Sequence, residues 1–391
     1  MLLAAALPLA PDLVPSALVL FLAATVVRQF RAFHRPRVRR WHTPLPWAAL
    51  FFLMHVIGMA WSTDIDFGLF DLQIKLPLLL LPALALVLPG LSRSARQAVL
   101  TVHTFASAMA VMVCVLAALF RIVGGSALEP AQEIFSSAFS IFLHPTYFAL
   151  YLSLALAGWV LTPMHSAWPA WLSRSVLLLL CLGVLLCGSK MGWIVLVLLL
   201  PTALVLRWDD RSLRRTLLGL LMVFAAALVT LVSASPYARD RVQEAWRVAV
   251  EGNADANAET SSAVRTITWS AAIRLFREAP LWGTGTGDIK NELVRVYDER
   301  GQQWAKERRL NAHSQFLQSA ACLGVAGLFA LLMMVLAPFL GPFRRDALTV
   351  VFVLICALNW SVESMLEVQA GVVWTALMLF LLFADEPDLA A

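Results

Sequence analysis

Of 391 residues, 60% are hydrophobic and 14% are charged, against roughly 25% charged in ordinary soluble domains. That excludes a soluble enzyme, and the net charge of +5 does not point to nucleic acid, because most of the basic excess sits in short loops between apolar runs, where it sets membrane orientation. The five cysteines, Cys114, Cys181, Cys187, Cys322 and Cys356, all lie inside apolar runs and suggest neither a disulfide framework nor a zinc site.

Residues 1–27 are apolar but broken by Pro8, Pro11, Asp12 and Pro15. They read as one kinked span or a tight helical hairpin. With no basic start and no clear cleavage site, they read as retained helix and not as a removed signal. Residues 28–42 carry Arg28, Arg31, Arg35, Arg37, Arg39 and Arg40, the strongest cytoplasmic signal in the chain. Apolar runs follow at about 44–61, 75–91, 98–120, 138–161, 175–188, 192–206, 216–232, 316–340, 347–365 and 369–384. Arg93 with Arg96, then Arg174, then Arg207, Arg211, Arg214 and Arg215, then Arg344 with Arg345 fall on the side of 28–42. Asp64, Asp66 and Asp71, then Glu129 and Glu133, then Glu367 fall on the other. The alternation predicts an all-α polytopic transmembrane bundle of eleven spans, or twelve if the N-terminal segment is a hairpin.

Three parts follow: transmembrane helices over 1–232, a long helical loop over 233–313 outside the cytoplasm, and transmembrane helices over 314–391. Within the loop, 236–251 is a basic amphipathic segment with Val242, Trp246, Val248 and Val250, and 252–260 is a soft polar linker. Ser261 or Ser262 can cap a helix that runs to Glu278 before Pro280 stops it. Residues 288–299 form another helix, with Ile289, Leu293 and Val296 on one face.

The polar residues that could carry chemistry gather around this loop. His313 opens an apolar run beside Asn311, Ser314, Gln315 and Gln318. An imidazole there meets water and head groups, and its ordinary pKa suits proton abstraction from a hydroxyl; the plainer reading is a histidine that caps a helix. Arg265 and Trp269 are four apart and share a helix face, with Arg274 and Arg277 further on. A guanidinium can grip a phosphate with two parallel hydrogen bonds, or these can be a solvated basic face. Gly283, Gly285 and Gly287 form a turn whose amides could converge on an anion, although a simple turn is the favoured reading. Lys190, in the short hinge between two apolar runs, and Lys75, at the start of another, are each a candidate phosphate holder or a snorkelling anchor. His144 and Glu363 are further ionisable groups near helix ends. Asp64 and Asp66 have the spacing of a divalent-metal pair, and ordinary acidic loop residues are the favoured alternative.

In combination these patterns resemble the O-antigen ligase family, which shares a region with O-antigen polymerases. The resemblance rests on QIKLPLLLLP around Lys75, HPTYFALYL around His144 and GSKMGW around Lys190. It continues with Arg265-x-x-x-Trp269, then Pro280 to Gly285, then His313-Ser314-x-Phe316-Leu317 running on to Gly324. Lys190 stands where the family often has arginine, and Ser314 where it often has asparagine. The resemblance implies a bacterial inner-membrane glycosyltransferase of the GT-C type, metal-independent, without cofactor, and inverting. It would move a glycan from undecaprenyl diphosphate to lipid A–core at the periplasmic face. It implies His313 as the base and Arg265 as the diphosphate ligand, with Lys190 and Lys75 adding positive charge. His144, Trp269, Asn311, Gln315 and Glu363 complete the expected substrate contacts, and Asp64 and Asp66 are bystanders. An O-antigen polymerase, a protein O-glycosyl ligase and, in another class, a lipid-linked glycan transporter are the alternatives.

Overall fold

A computed structural model describes residues 1–29, 41–88, 91–162, 164, 168–234, 239, 243 and 261–384. Most of the predicted basic loop 28–42, nearly all of the segment 236–251 and the linker 252–260 lie outside the described residues. Among the described residues every regular element is helical. Four helices, Pro44–Trp61, Ile65–Val87, Arg93–Val123 and Gln315–Leu340, are long and apolar enough to cross a membrane, and Pro11–Val27, Pro145–Leu161, Ala170–Leu186, Lys190–Leu206, Ala347–Val362 and Gln369–Phe383 are shorter apolar helices. Side chains such as Phe120, Val205 and Leu116 stand exposed along these helices, as lipid-facing residues do. This is a polytopic helical membrane protein.

The chain forms two compact units. The first takes Met1–Phe33, Leu91–Arg239 and Asp346–Ile355. Its centre is the helix Pro145–Leu161, buried along its whole length, which packs against Arg93–Val123, Ala170–Leu186 and Lys190–Leu206. A helix that is apolar all round belongs in such a core. The N-terminal segment is two helices, Leu2–Leu9 and Val14–Gln29, which break at Ala10 and touch each other. Eight residues of helix reach only about 12 Å, so the first of them cannot be a full span.

The second unit takes His34–Gly90, Asp240–Arg345 and Cys356–Ala391. Pro44–Gly58 packs on Gln315–Leu336 and on Pro77–Val87, and Gln369–Phe383 packs on Pro77–Val87. One expected boundary needs correction. The run placed at 75–91 begins at Ile65, capped by the Asp64 carboxylate, which accepts from the Phe67 amide at 3.0 Å. Asp71, expected in an outer loop, is a buried helical residue ion-paired with Lys75 one turn on. Charges read as the edge of a span are in fact neutralised inside it.

The polar insert matches its expected outline. The helix Ser261–Glu278 stops just before Pro280, and Ile289–Glu299 buries Ile289, Leu293 and Val296. These residues join Ile267, Ala271, Leu275 and Tyr297 in a small core that closes on Ala321, Cys322 and Leu323 of Gln315–Leu336. The insert is thereby tied to the start of an apolar helix, which positions its functional side chains.

Candidate functional site

The Gly283–Gly287 turn fixes the insert to that helix by an exchange of backbone hydrogen bonds. Gly324 adopts φ 65°, ψ −155° inside Gln315–Leu336. Its departure frees the carbonyls of Ala321 and Cys322, which accept from the amides of Thr284 and Gly285 at 2.9 Å each, while the Val325 amide donates to the Pro280 carbonyl at 2.9 Å. An added Cβ on Gly324 or Gly283 would strike the opposing backbone, and both have positive φ, so glycine is required at each. The Gly283 amide donates to Ala279 and the Gly287 amide to the Ser62 hydroxyl. The amides of Gly283, Thr284, Gly285 and Gly287 are therefore engaged by the protein, in keeping with the simple turn that the sequence favoured over an anion nest.

His313 follows directly. Its backbone has φ 44°, a left-handed conformation rare for a residue with a side chain. Several hydrogen bonds hold it there. The Trp269 indole donates to the His313 carbonyl at 3.1 Å, and the His313 amide donates to Asn311 Oδ1 at 3.0 Å. Thr268 Oγ1 donates to the Ala312 carbonyl at 3.2 Å and the Ser314 amide donates to Ser364 Oγ at 3.2 Å. The ring itself lies against Glu363, with Nδ1 3.2 Å from Oε1 and 3.3 Å from Oε2. An ionised carboxylate only accepts, so Nδ1 carries the proton and Nε2 is the basic nitrogen. The His313 side chain is 25% exposed and that of Glu363 8%, so the base can meet substrate while its partner stays covered.

Arg265 reaches the same place from the insert helix. Its Nε donates to the Val362 carbonyl at 2.8 Å. The guanidinium and the imidazole are thus tethered to consecutive residues, Val362 and Glu363. Arg265, Trp269, His313 and Glu363 form one constellation in the second unit. Glu363, expected among the substrate contacts, bonds the imidazole itself. Trp269 likewise grips the His313 loop.

Below this hub lies a cluster with little sequence signal. Lys75 Nζ donates to Glu367 Oε2 at 2.9 Å and, more closely, to Asp71 Oδ1. Gln315 Nε2 donates to Glu367 Oε1 at 3.0 Å, and Gln315 Oε1 accepts from the Leu366 amide at 2.6 Å. Lys75 and Gln315 are both wholly buried. Lys75 is therefore neither a snorkelling anchor nor an accessible phosphate holder, and Gln315 braces the segment after Glu363. Both expectations are corrected, because partners remote in sequence enclose these two side chains.

The remaining candidates have identifiable places. Arg274 pairs with Glu278 at 2.7 Å and Glu299 at 2.6 Å, and Arg277 is exposed, so this part of the helix is a solvated basic face. Asp64 caps its helix and accepts from Asn291 Nδ2 at 2.8 Å. The Phe67 amide, then Asn291, hold its carboxyl below the usual range. Asp66 is exposed. His144 caps Pro145–Leu161, its ring accepting from the Thr146 amide, and Lys190 opens Lys190–Leu206 behind a Ser189 cap; both belong to the first unit. Asn311 lines a cavity of about 240 Å³ in the second unit, together with Asp71, Gln318 and Glu367.

An all-helical membrane protein with a covered imidazole–carboxylate pair and a tethered guanidinium beside a polar insert has the parts for acid–base chemistry on an anionic lipid-borne substrate. The family model described as O-antigen ligase matches residues 175–332. The matched stretch includes Lys190, Arg265, the glycine turn and His313, and supports a likeness to the O-antigen ligase family. No curated protein matches the chain.

Proposed function

We propose that this protein is an O-antigen ligase of the bacterial inner membrane. It transfers a glycan from undecaprenyl diphosphate to lipid A–core at the periplasmic face. The observation that carries the reading is the tethering of His313 and Arg265 to the adjacent residues Glu363 and Val362. His313 Nε2 takes the proton from an acceptor hydroxyl as its oxygen attacks the anomeric carbon. The bond from that carbon to the diphosphate oxygen breaks in the same displacement, which inverts the centre. Arg265 stabilises the departing diphosphate. Glu363 keeps the imidazole in the right tautomer and stabilises the imidazolium that forms. Catalysis needs no metal in this scheme. The engagement of Asp64 as a helix cap supports that reading.

The test is reconstituted protein given lipid-linked glycan and lipopolysaccharide lacking O-antigen. Product of ligated size, formed only with the lipid A–core acceptor and undiminished by EDTA, is the expected result. Lengthened lipid-linked chains would instead identify a polymerase. His313→Ala should lower transfer by about 10²–10⁴-fold, the usual share of a general base, while donor still binds; normal turnover would remove His313 from the mechanism.

A further inference from the structure

The 240 Å³ cavity lies where the membrane-length helix Ile65–Val87 meets the polar insert, and its walls carry two chemistries. At one wall are Lys290 and Arg309, neither ion-paired to a carboxylate among the described residues. Lys290 Nζ stands 5.5 Å from the centroid of the Phe67 ring, and Arg309 donates to the neutral Asn291 amide at 2.7 Å. At the other wall are the carboxylates of Asp71 and Glu367. Glu367 Oε1 and Oε2 accept from Gln315 and Lys75, and the Glu367 carboxyl also lies in hydrogen-bond contact with Asp71.

Between them sit Asn311 and Gln318. The Gln318 side chain is 4% exposed by residue, and its Oε1 accepts from the Ala312 amide at 3.0 Å. Its Nε2 donates no hydrogen bond among the described residues. Asn311 is half-buried; its Oδ1 accepts from the His313 amide and its Nδ2 donates to nothing among the described residues. Two side-chain amides, the cations of Lys290 and Arg309, carboxylate acceptors and the Phe67 and Phe70 rings line one small cavity; Arg309 also faces the Asp64 carboxylate. Donors, acceptors and an aromatic face suit a sugar ring, and the cations suit an anionic substituent on it. The volume falls below the roughly 300–1,000 Å³ of sites for drug-sized ligands, which matches one sugar unit.

We propose that this cavity is a subsite for a phosphorylated or carboxylated sugar of the acceptor. The assignment to the acceptor rests on the ligase reading above. Asn311 joins the cavity to His313, the base that must face the acceptor hydroxyl, while Arg265 does not line it. Sugar hydroxyls donate to Glu367 and Asp71 and accept from Gln318 and Asn311, and the anionic group meets Lys290 and Arg309.

The experiment uses the full chain in detergent, with glucose 6-phosphate, glucose and inorganic phosphate as probes in ligand-observed NMR. Glucose 6-phosphate should bind, glucose should bind more weakly, and Lys290→Gln/Arg309→Gln should weaken the phosphosugar by at least about tenfold, the scale of a lost charge-assisted contact. Gln318→Leu should weaken both sugars. Equal binding to wild type and the double variant would overturn the proposal. So would inorganic phosphate or phosphatidylglycerol vesicles displacing the phosphosugar as well as the phosphosugar itself does, since either would mark a plain anion or lipid head-group site. In the transfer assay, wild type should show a lower KM for phosphorylated acceptor than for phosphatase-treated acceptor, and the double variant should lose that preference. A wild type that discriminates no better than the variant would remove the cavity from acceptor recognition while leaving the ligase reading intact. A wild type that transfers to neither acceptor would defeat the ligase reading, and the NMR arm would still decide whether the cavity binds the sugar.

Discussion

Two ionic clusters in the second unit contain the same kinds of groups and hold very different stakes. In the Asp71–Lys75–Glu367 cluster the side chains are 6%, 0% and 13% exposed. In the cluster of Arg274, Glu278, Arg295 and Glu299 they are 34%, 41%, 39% and 42% exposed. The second has more ion pairs, yet water and salt screen each of them, and exposed pairs contribute little. The first has little water to fall back on, since only the edges of Asp71 and Glu367 reach the cavity. Removing one of its members strands the others in a low-dielectric interior. It also braces the segment that carries Glu363, through Gln315, and it lines the cavity beside Asn311. The number of ion pairs is therefore a poor guide to importance here, and the position of the dielectric boundary is a good one.

The sharpest way to break this contrast is Lys75→Met, which leaves Asp71 and Glu367 buried without their cation. It should destabilise the protein by about 3–5 kcal/mol, seen as a lower thermal unfolding midpoint in detergent. An unchanged midpoint would show that water in the cavity solvates the two carboxylates well enough to replace the cation. Gly324→Ala should follow at about 1–3 kcal/mol, because a side chain is forced to positive φ against the Leu281 carbonyl. A wild-type unfolding curve would show that the exchanged backbone bonds re-form without the kink. Glu363→Gln keeps the shape of the His313 contact and removes its charge. Its unfolding midpoint should hold while kcat falls about 10–100-fold, the usual loss when a group that orients an imidazole is removed; full activity would reduce Glu363 to packing.

The smallest effect belongs to the exposed cluster. Arg274, then Arg295, hold the Glu278 carboxyl below its usual range, and Arg295, then Arg274, do the same for Glu299. A depressed folded-state pKa contributes stability that is present above the unfolded value of about 4.5 and is lost as pH falls through the folded one. Arg295→Ala should leave the midpoint at pH 7 close to wild type and flatten its decline below about pH 4.5. A large loss at pH 7 would mean that this surface network matters more than its exposure allows.

What could be read from the chain was whatever depends on near neighbours. The apolar runs marked most helices, and Pro280 ended the helix that Ser261 begins. Ile289, Leu293 and Val296 declared one buried face through their spacing. Arg265 with Trp269, and His313 at the mouth of an apolar helix, carried a family pattern that the O-antigen ligase match repeats over residues 175–332. The same local reading misplaced the edge of a span at Lys75, since charge is a sound sign of a helix end only when nothing elsewhere neutralises it.

The tertiary structure decided every pairing made across distance. His313 and Glu363 are 50 residues apart, and Lys75 and Glu367 are 292 apart. No periodicity links such positions, because the chain between them is free to place them anywhere until the helices pack. The glycine turn shows both halves of the lesson. Its residues announced a bend, but the Ala321 and Cys322 carbonyls that take up its amides, freed by the kink at Gly324, lie on another helix. Helix and turn are properties of adjacent residues, whereas a tautomer, a buried charge and a binding cavity exist only once remote segments exclude water together.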